Sequence, residues 1–372
     1  MQNNLFRRKL ESIFEDAEIQ IGGCRAWDVR IKNPQVYPRA ILQGNLGLGE
    51  TYMNGWWECD ALDEFFFRLL RSRADRKVHP PGQFAGDLIG RIINMQSGSQ
   101  AFTVGKRHYD TGNDLFEAML DRRMIYSCGY WQNTSDLNEA QELKLRLVFD
   151  KLMMRPCMKL LDIGCGWGGA AKFAAEEYGA EVTAITVSGK QAAFARERCR
   201  HLPVTVKLMD YRAIEGRYDR IYSIGMFEHV GYKNYRIYFT TVKRCLNPGG
   251  ISLLHTIGGN EPCTNVDPWI CRYIFPNSMI PSASQITRAA EGLFILEDWH
   301  SFAFDYYLTL KAWYRNVEKA WTSLSLHYPE SFHRMWRYYL LSCAGAFKAR
   351  FLQLWQILFS VEGITGCHRT PR

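Results

Sequence analysis

Residues 161–169 read LDIGCGWGG, between an apolar run and a stretch of small residues. The preceding residues complete a strand over 159–163, and the run AAKFAA at 170–175 opens a helix. The glycines between them serve a backbone that turns sharply and that a ligand approaches without a Cβ in the way. In doubly wound α/β sheets, nucleotides bind at such a turn, at the carboxyl end of the first strand. From there the pattern predicts strands over 181–187, 204–209, 218–225 and 250–257. Helices are predicted over 170–178, 188–201 and 232–245, with Ser188 as a cap and the NPGG at 247–250 as a turn. Alternating units with short links make a mostly parallel sheet between helices.

The spacing within the turn is G-x-G-x-G, not the G-x-G-x-x-G of dinucleotide sites, and Asp162 lies at the strand end. That combination suits S-adenosylmethionine, whose sulfonium and amino group accept a carboxylate where a pyrophosphate would not. Gly164, Cys165, Gly166, Trp167 and Gly168 would lie under this cofactor. The other strand ends bring Thr186-Val187-Ser188, Asp210-Tyr211-Arg212, Glu228 and His255 to the same edge. Methyltransferases usually carry an acid after the second strand for the ribose hydroxyls. None is present here, and Gln191 stands one turn into the helix to do that work. Glu228 and His255 together form a candidate acid/base cluster. The plainer readings are a helix-start glutamate and a core histidine bonded to backbone.

The chain has 372 residues, enough for two domains. Its 11 Trp, 19 Tyr and 21 Phe fill a core, and such rings also line apolar pockets and stabilise cations. Eleven cysteines with neither a C-x-x-C pair nor metal-ligand spacing point to a reduced, cytoplasmic protein without a metal site. Arg7-Arg8-Lys9 is followed by no apolar run, and no stretch has the ~20 apolar residues of a spanning helix. A net charge of +8 suits an anionic membrane face, and no motif supports binding to nucleic acid.

At the N-terminus, Leu5, Phe6, Leu10, Ile13, Phe14 and Ala17 share one helical face. Residues 27–31 alternate as a short strand, and Gly44, Gly47, Gly49 and Gly55 mark a loop-rich stretch. Asp63 is placed to cap a helix carrying Phe65, Phe66 and Phe67. Arg68, Arg71, Arg73, Arg76 and Lys77 follow, either as a solvated face or as a patch for a lipid surface. Breaks at Pro80-Pro81-Gly82 and Ser97-Gly98-Ser99 divide the chain into a small α+β N-terminal domain (1–80), a linker (81–100) and a catalytic domain (101–372). Aromatic-rich segments at 305–321 and 332–350 read as helices, covering a substrate tunnel or simply filling a core.

Several long strings, in order, resemble one family: the cyclopropane-fatty-acyl-phospholipid synthases. They are GNLGLGETYMNGWWEC (44–59), VGKRHYDTGNDL (104–115), YSCGYW (126–131), GMFEHVGYKNY (225–235), NVDPWICRYIFPN (265–277) and CAGAFKAR (343–350), together with 161–169. The resemblance runs nearly end to end. It implies a class I methyltransferase fold, a doubly wound sheet with added helices. It also implies transfer of a methylene group from S-adenosylmethionine to the cis double bond of a phospholipid acyl chain, through a carbocation deprotonated by bound bicarbonate. Cys128, Glu228, His255, the backbone at Ile257 and Tyr306 hold that bicarbonate by resemblance, and Cys343 has been treated as an active-site cysteine. A thiolate has no obvious task in this chemistry, so a buried structural thiol is the plainer reading of Cys343. Tyr126 and Ser127 fall near the methionine end of the cofactor and Tyr211-Arg212 near adenine, with Asp210 accepting from the adenine amino group. The same resemblance implies a homodimer at the inner face of the membrane.

Two other functions remain open at this stage. One keeps the cofactor but makes methyl-branched chains or N-methylates an amine. The other is a non-catalytic lipid-binding protein on the same scaffold.

Overall fold

The strand foreseen over 159–163 lies within a seven-stranded sheet in a computed structural model of the chain. The structure describes residues 2–74, 77, 112–264, 266–366 and 370–372. The expected linker at 81–100, Arg76 and most of the 104–115 motif lie outside these residues. In chain order, β1 (Arg30–Ile31) and β2 (Trp57–Glu58) pair as a separate two-stranded sheet. The large sheet contains β3 (Lys159–Ile163), β4 (Glu181–Thr186), β5 (Val204–Leu208), β6 (Tyr218–Ile224), β7 (Leu246–Gly259), β8 (Ile295–Ser301) and β9 (Leu352–Ser360). Their order is β5-β4-β3-β6-β7-β9-β8. β3 to β7 are paired in parallel, and β8 and β9 are antiparallel. The order reverses between β3 and β6, which opens a ligand crevice at their carboxyl ends.

Parallel strands are buried on both faces, which explains their apolar runs. Along β3, Leu160 and Leu161 point to opposite sides, into two different hydrophobic clusters. One contains Phe227, Tyr238 and Phe239, and the other Phe149, Phe173 and Tyr222. The helices, in chain order, are α1 (Gln2–Asp16), α2 (Val36–Gln43), α3 (Asn45–Met53), α4 (Leu62–Arg71), α5 (Asn113–Met119), α6 (Leu137–Lys151), α7 (Gly169–Tyr178), α8 (Gly189–Arg198), α9 (Tyr235–Cys245), α10 (Pro268–Tyr273), α11 (Ala283–Ala290), α12 (Ala303–Leu324) and α13 (Glu330–Lys348). Ser188 caps α8 as foreseen, its Oγ accepting from the Gln191 amide at 3.3 Å.

Three features of the sheet depart from expectation, the first being β8, which was not predicted. The predicted turn at 247–250 is carried inside β7. The register shifts between Tyr218↔Leu246 and Arg220↔Ile251, and this irregularity absorbs Pro248, Gly249 and Gly250. β9, reading LQLWQILFS, was not expected at all. It lies between β7 and β8, so almost every residue is buried and the alternation that marks a half-exposed strand is missing.

The chain divides into two compact units. The second comprises 94–263, 277–305 and 353–372 and contains the large sheet. The first comprises 1–93, 264–276 and 306–352, so most of α12 and all of α13 belong with the N-terminal residues. There α1 buries Leu10, Ile13, Phe14 and Ala17, while Leu5 is 67% exposed. Asp63 is not a cap. It is the second residue of α4, with Ala61 at the cap position, and its carboxylate accepts from Lys311 Nζ at 2.8 Å. The glycine-rich stretch is not a loop either, because Gly47 and Gly49 lie within α3. A Cβ on Gly47 would come within 2.1 Å of the Arg39 carbonyl, and one on Gly49 within 2.4 Å of the Trp269 indole. These glycines permit close packing. Gly345 of α13 does the same against Phe66 and the Asp63 carbonyl of α4.

Phe65 and Phe66 are therefore core residues. Arg68 pairs with Glu64 and Glu18 and lies 4.1 Å from the Trp27 ring, and Lys77 pairs with Asp16. Arg71 and Arg73 stay exposed. Among the described residues, no helix is long and apolar enough to cross a membrane.

Gly258 of β7 gives a direct test of the sheet's packing. A Cβ there would lie 2.1 Å from the Trp355 ring of β9. Gly258→Ala is expected to destabilise the protein by about 1–3 kcal/mol in urea unfolding; an unchanged midpoint would contradict the β7–β9 contact.

Candidate active site

After β3 the chain turns through Gly164, Gly166 and Gly168, with φ of +96°, +53° and +80°. Side chains other than glycine rarely adopt such angles. Gly164 and Cys165 donate their amides to the Ile185 carbonyl at 3.0 and 2.9 Å, which ties the turn to β4. A Cβ on Gly164 would meet Met226, and one on Gly168 would meet Ala195, whereas the space over Gly166 is open. The turn is thus anchored at both ends and clear in the middle, as a cradle for S-adenosylmethionine requires. Trp167 is buried, its indole donating to Asn113 Oδ1 at 3.4 Å and its ring tilted against Phe116. Phe116 also meets Tyr126 edge-on at 5.2 Å.

Asp162 is buried and accepts a 2.7 Å hydrogen bond from the Tyr222 hydroxyl on β6. Burial pushes its carboxyl up to about 7, against the opposing effects of the Tyr222 bond and the Lys144 charge. Thr186 donates to Gln191 Oε1 at 3.0 Å, a bond that does not use the Gln191 NH2 group. Ser188 is occupied as a helix cap, and Val187 lies between these two. Asp210 accepts from the Arg212 backbone at 2.9 Å and from its guanidinium at 3.1 Å. Tyr211 is buried against Tyr238, with Arg212 over its ring, so this segment is no solvated loop.

Beyond the turn, three chain segments meet at the carboxyl ends of β6 and β7. Glu228 follows β6 in a 3-10 turn over Phe227–His229. Its Oε1 accepts the Ile257 amide at 2.7 Å, while its buried Oε2 has no partner among the described residues. The carboxylate thus occupies the backbone donor that the resemblance assigns to an anion. Burial pushes Glu228 up to about 7. His255 pairs in register with Ile224 across the two strands. Gln356 Nε2 donates to its Nδ1 at 3.3 Å, which leaves the proton on Nε2, and that buried nitrogen has no partner among the described residues. Burial, with the nearby Lys144 and Lys151 charges, holds His255 well below the usual histidine range, so it stays neutral. Ser127 and Cys128 form the third segment. A Cβ on Gly225 would lie 3.8 Å from that of Ser127, and the buried Cys128 thiol donates to the Gly129 carbonyl at 3.0 Å.

Two orphaned buried atoms of opposite capacity, an acceptor on Glu228 and an N–H on His255, fit a small oxyanion that both donates and accepts. Bicarbonate has that donor set. Tyr306 and Cys343 belong to the first unit. Tyr306 stacks on Phe347 at 4.4 Å. Burial pushes the Cys343 thiol up to about 12, so it is protonated and unsuited to nucleophilic attack.

The sequence reading missed Gln356, Tyr222, Gln141 and Lys144. Gln356 lies in the unforeseen β9. Gln141 and Lys144 carried a faint signal, as polar residues spaced i, i+3 on the buried face of α6.

A doubly wound sheet with this glycine turn and crevice is the fold of the class I S-adenosylmethionine-dependent methyltransferases. The Escherichia coli (strain K12) cyclopropane-fatty-acyl-phospholipid synthase is 49% identical over 368 residues, 98% of this chain and 96% of that protein. The solved structure of the cyclopropane synthase MmaA2 from Mycobacterium tuberculosis matches with a TM-score of 0.66 at 29% identity, covering 69% of this chain and 97% of that one. The mycolic acid cyclopropane synthase CmaA1 complexed with SAH and CTAB matches with a TM-score of 0.65 at 30% identity, covering 69% and 97%. The family model described as mycolic acid cyclopropane synthetase matches residues 96–357, and the chain belongs to that family.

Glu228 makes stability depend on pH with a definite sign. Its folded pKa, about 7, lies above its ordinary 4.5, so the native state holds the proton more tightly than the unfolded chain. The contribution is present at low pH and is lost as pH rises through about 7. In urea unfolding of ligand-free protein, the stability of wild type relative to Glu228→Gln is expected to fall by about 2–3 kcal/mol between pH 5 and 8. A pH-independent difference would refute the buried, uncompensated carboxyl.

Proposed function

We propose that this protein transfers a methylene group from S-adenosylmethionine to the cis double bond of acyl chains in phospholipids, leaving cyclopropane rings. One observation carries the activity: 49% identity along 98% of the chain to a cyclopropane-fatty-acyl-phospholipid synthase. When bound, S-adenosylmethionine supplies an electrophilic methyl group, and bicarbonate supplies a base that itself resists alkylation.

The chain's own residues have distinct tasks. The glycine turn at 164–168, Tyr126, Ser127, Asp162 and the 186–191 segment bind and orient the cofactor. A neutral alkene is a weak nucleophile, so this orientation contributes much of the rate. Glu228, held by the Ile257 amide, accepts a hydrogen bond at Oε2, and neutral His255 donates one from Nε2. Together with Cys128, they hold the anion. Phe302 lies edge-on to His255 at 5.9 Å and meets Tyr130 at 5.4 Å. Such rings exclude water and stabilise a cation by about 0.5–2 kcal/mol each. Orphaned buried atoms on Glu228 and His255 support the anion-assisted route over simple methyl donation.

The membrane partner, inner-face location in the cytoplasm and homodimeric state belong to the same reading, as does the role of residues 1–80 at the lipid surface. Exposed Arg71 and Arg73 support an electrostatic component. Flotation with anionic vesicles is expected to decline as salt is raised from about 0.05 to 0.5 M; salt-insensitive flotation would remove that component.

The activity is tested by incubation with S-adenosylmethionine and vesicles of cis-unsaturated phospholipid. The acyl chains should gain one CH2, and proton spectra should show ring methylenes. Depleting bicarbonate should slow turnover, and Glu228→Gln should lower it by roughly 10²–10⁴. Methyl-branched products would establish the rival transfer, and no mass gain with cofactor bound would establish a lipid-binding scaffold.

A further inference from the structure

Lys144, on the inner face of α6, is fully buried. Its Nζ donates to Ser127 Oγ at 2.9 Å. No carboxylate among the described residues forms an ion pair with it. A buried ammonium with one neutral partner is an expensive arrangement, and an apolar residue of similar length would be more stable there. The charge is nevertheless retained at the centre of the site. It bears on Asp162 at the cofactor turn, on Cys128, on His255 and on Asp121. The two acids are otherwise engaged: Asp121 accepts the Arg123 and Ile125 amides, and Asp162 accepts from Tyr222. One turn earlier on α6, Gln141 Nε2 donates to the Ser127 carbonyl at 2.7 Å. Gln141 and Lys144 thus grip Ser127 by its backbone and its side chain.

The direction of the Lys144 bond has a chemical consequence. An ammonium can only donate, so Ser127 Oγ accepts from it. The single hydroxyl hydrogen of Ser127 must then be donated to something else, and a hydroxyl polarised by a cation is a strong donor. Its best acceptor is a negatively charged oxygen, which would also supply the countercharge that Lys144 lacks. The Ser127 side chain faces the carboxyl end of β6 at Gly225, beside the crevice.

We propose that Lys144 is a positioning residue that acts through the Ser127 hydroxyl to recognise a ligand carboxylate. Two sources share this chemistry: the methionine carboxylate of the cofactor and bicarbonate. The inference rests on the proposed cofactor site, and the cofactor arm of its test is a binding measurement independent of the lipid reaction.

The experiment measures binding of S-adenosylhomocysteine by calorimetry to wild type, Lys144→Met, Ser127→Ala and the double variant. Methylthioadenosine, which lacks the carboxylate, serves as the comparison ligand. Lys144→Met should weaken S-adenosylhomocysteine about tenfold and leave methylthioadenosine unchanged. The double variant should bind no worse than the weaker single variant, because both remove one relay. If the acceptor is bicarbonate, Lys144→Met instead raises the bicarbonate concentration for half-maximal turnover, with S-adenosylhomocysteine binding intact. In folded Lys144→Met, an unchanged S-adenosylhomocysteine affinity together with an unchanged bicarbonate requirement, or effects that simply multiply in the double variant, would overturn the proposal. Should Lys144→Met not fold, lysine-13Cε spectra of the wild type decide. The Lys144 titration midpoint should rise when S-adenosylhomocysteine or bicarbonate binds, and a midpoint moved by neither refutes the relay. Intact coupling without cyclopropane formation would sink the proposed reaction and leave this inference standing.

Discussion

The Ile257 amide and Glu228 Oε1 lie 2.7 Å apart at the carboxyl ends of two adjacent parallel strands, and the site depends on that bond. It fixes the carboxyl group of a residue that has just left β6 by anchoring it to the last turns of β7. The bond forms because Ile224 and His255 are in register, which brings Glu228 and Ile257 to matching heights beyond the strand pair. The irregularity at the start of β7 sets that register. With Oε1 held, Oε2 is buried without a partner among the described residues. A free-swinging glutamate would turn toward solvent and lose its function as a fixed acceptor.

Desolvation governs the rest of the site. The same burial that raises Asp162 and Glu228 lowers His255 and Lys144. Neutral forms are favoured at Asp162, Glu228 and His255, whereas Lys144, lowered only to about 8, keeps its charge near neutral pH. Such a pocket can take a cationic sulfonium and a small anion together, since each offsets the other's loss of hydration. It also keeps water from an electron-poor carbon centre.

Close helix packing in the first unit has a different origin. Gly47, Gly49 and Gly345 stand where a methyl group would overlap a neighbouring backbone or indole. The CAGAF string around Cys343 is explained by this approach of α13 to α4, together with a thiol kept protonated by burial.

Much of the second unit was legible in the residues alone. Strand, glycine turn and small-residue helix at 159–178 encode a local geometry through φ angles that only glycine adopts freely, and the strand ends pointed to Asp162, Glu228 and His255 as neighbours. Alternation of strand and helix was enough to predict parallel pairing, because short links leave a chain few other routes. Gly47 and Gly49 were misread as loop residues, since a glycine tolerated in a helix and one demanding a turn look identical until the neighbour is seen. β9 escaped for a related reason: a strand buried on both faces has no periodicity. Which polar atoms are partnered was beyond the sequence altogether. Gln356 meets His255 across 101 positions of chain, and Lys144 reaches Ser127 across 17, so only folding decides that this histidine and this ammonium are buried and which of their polar atoms find partners.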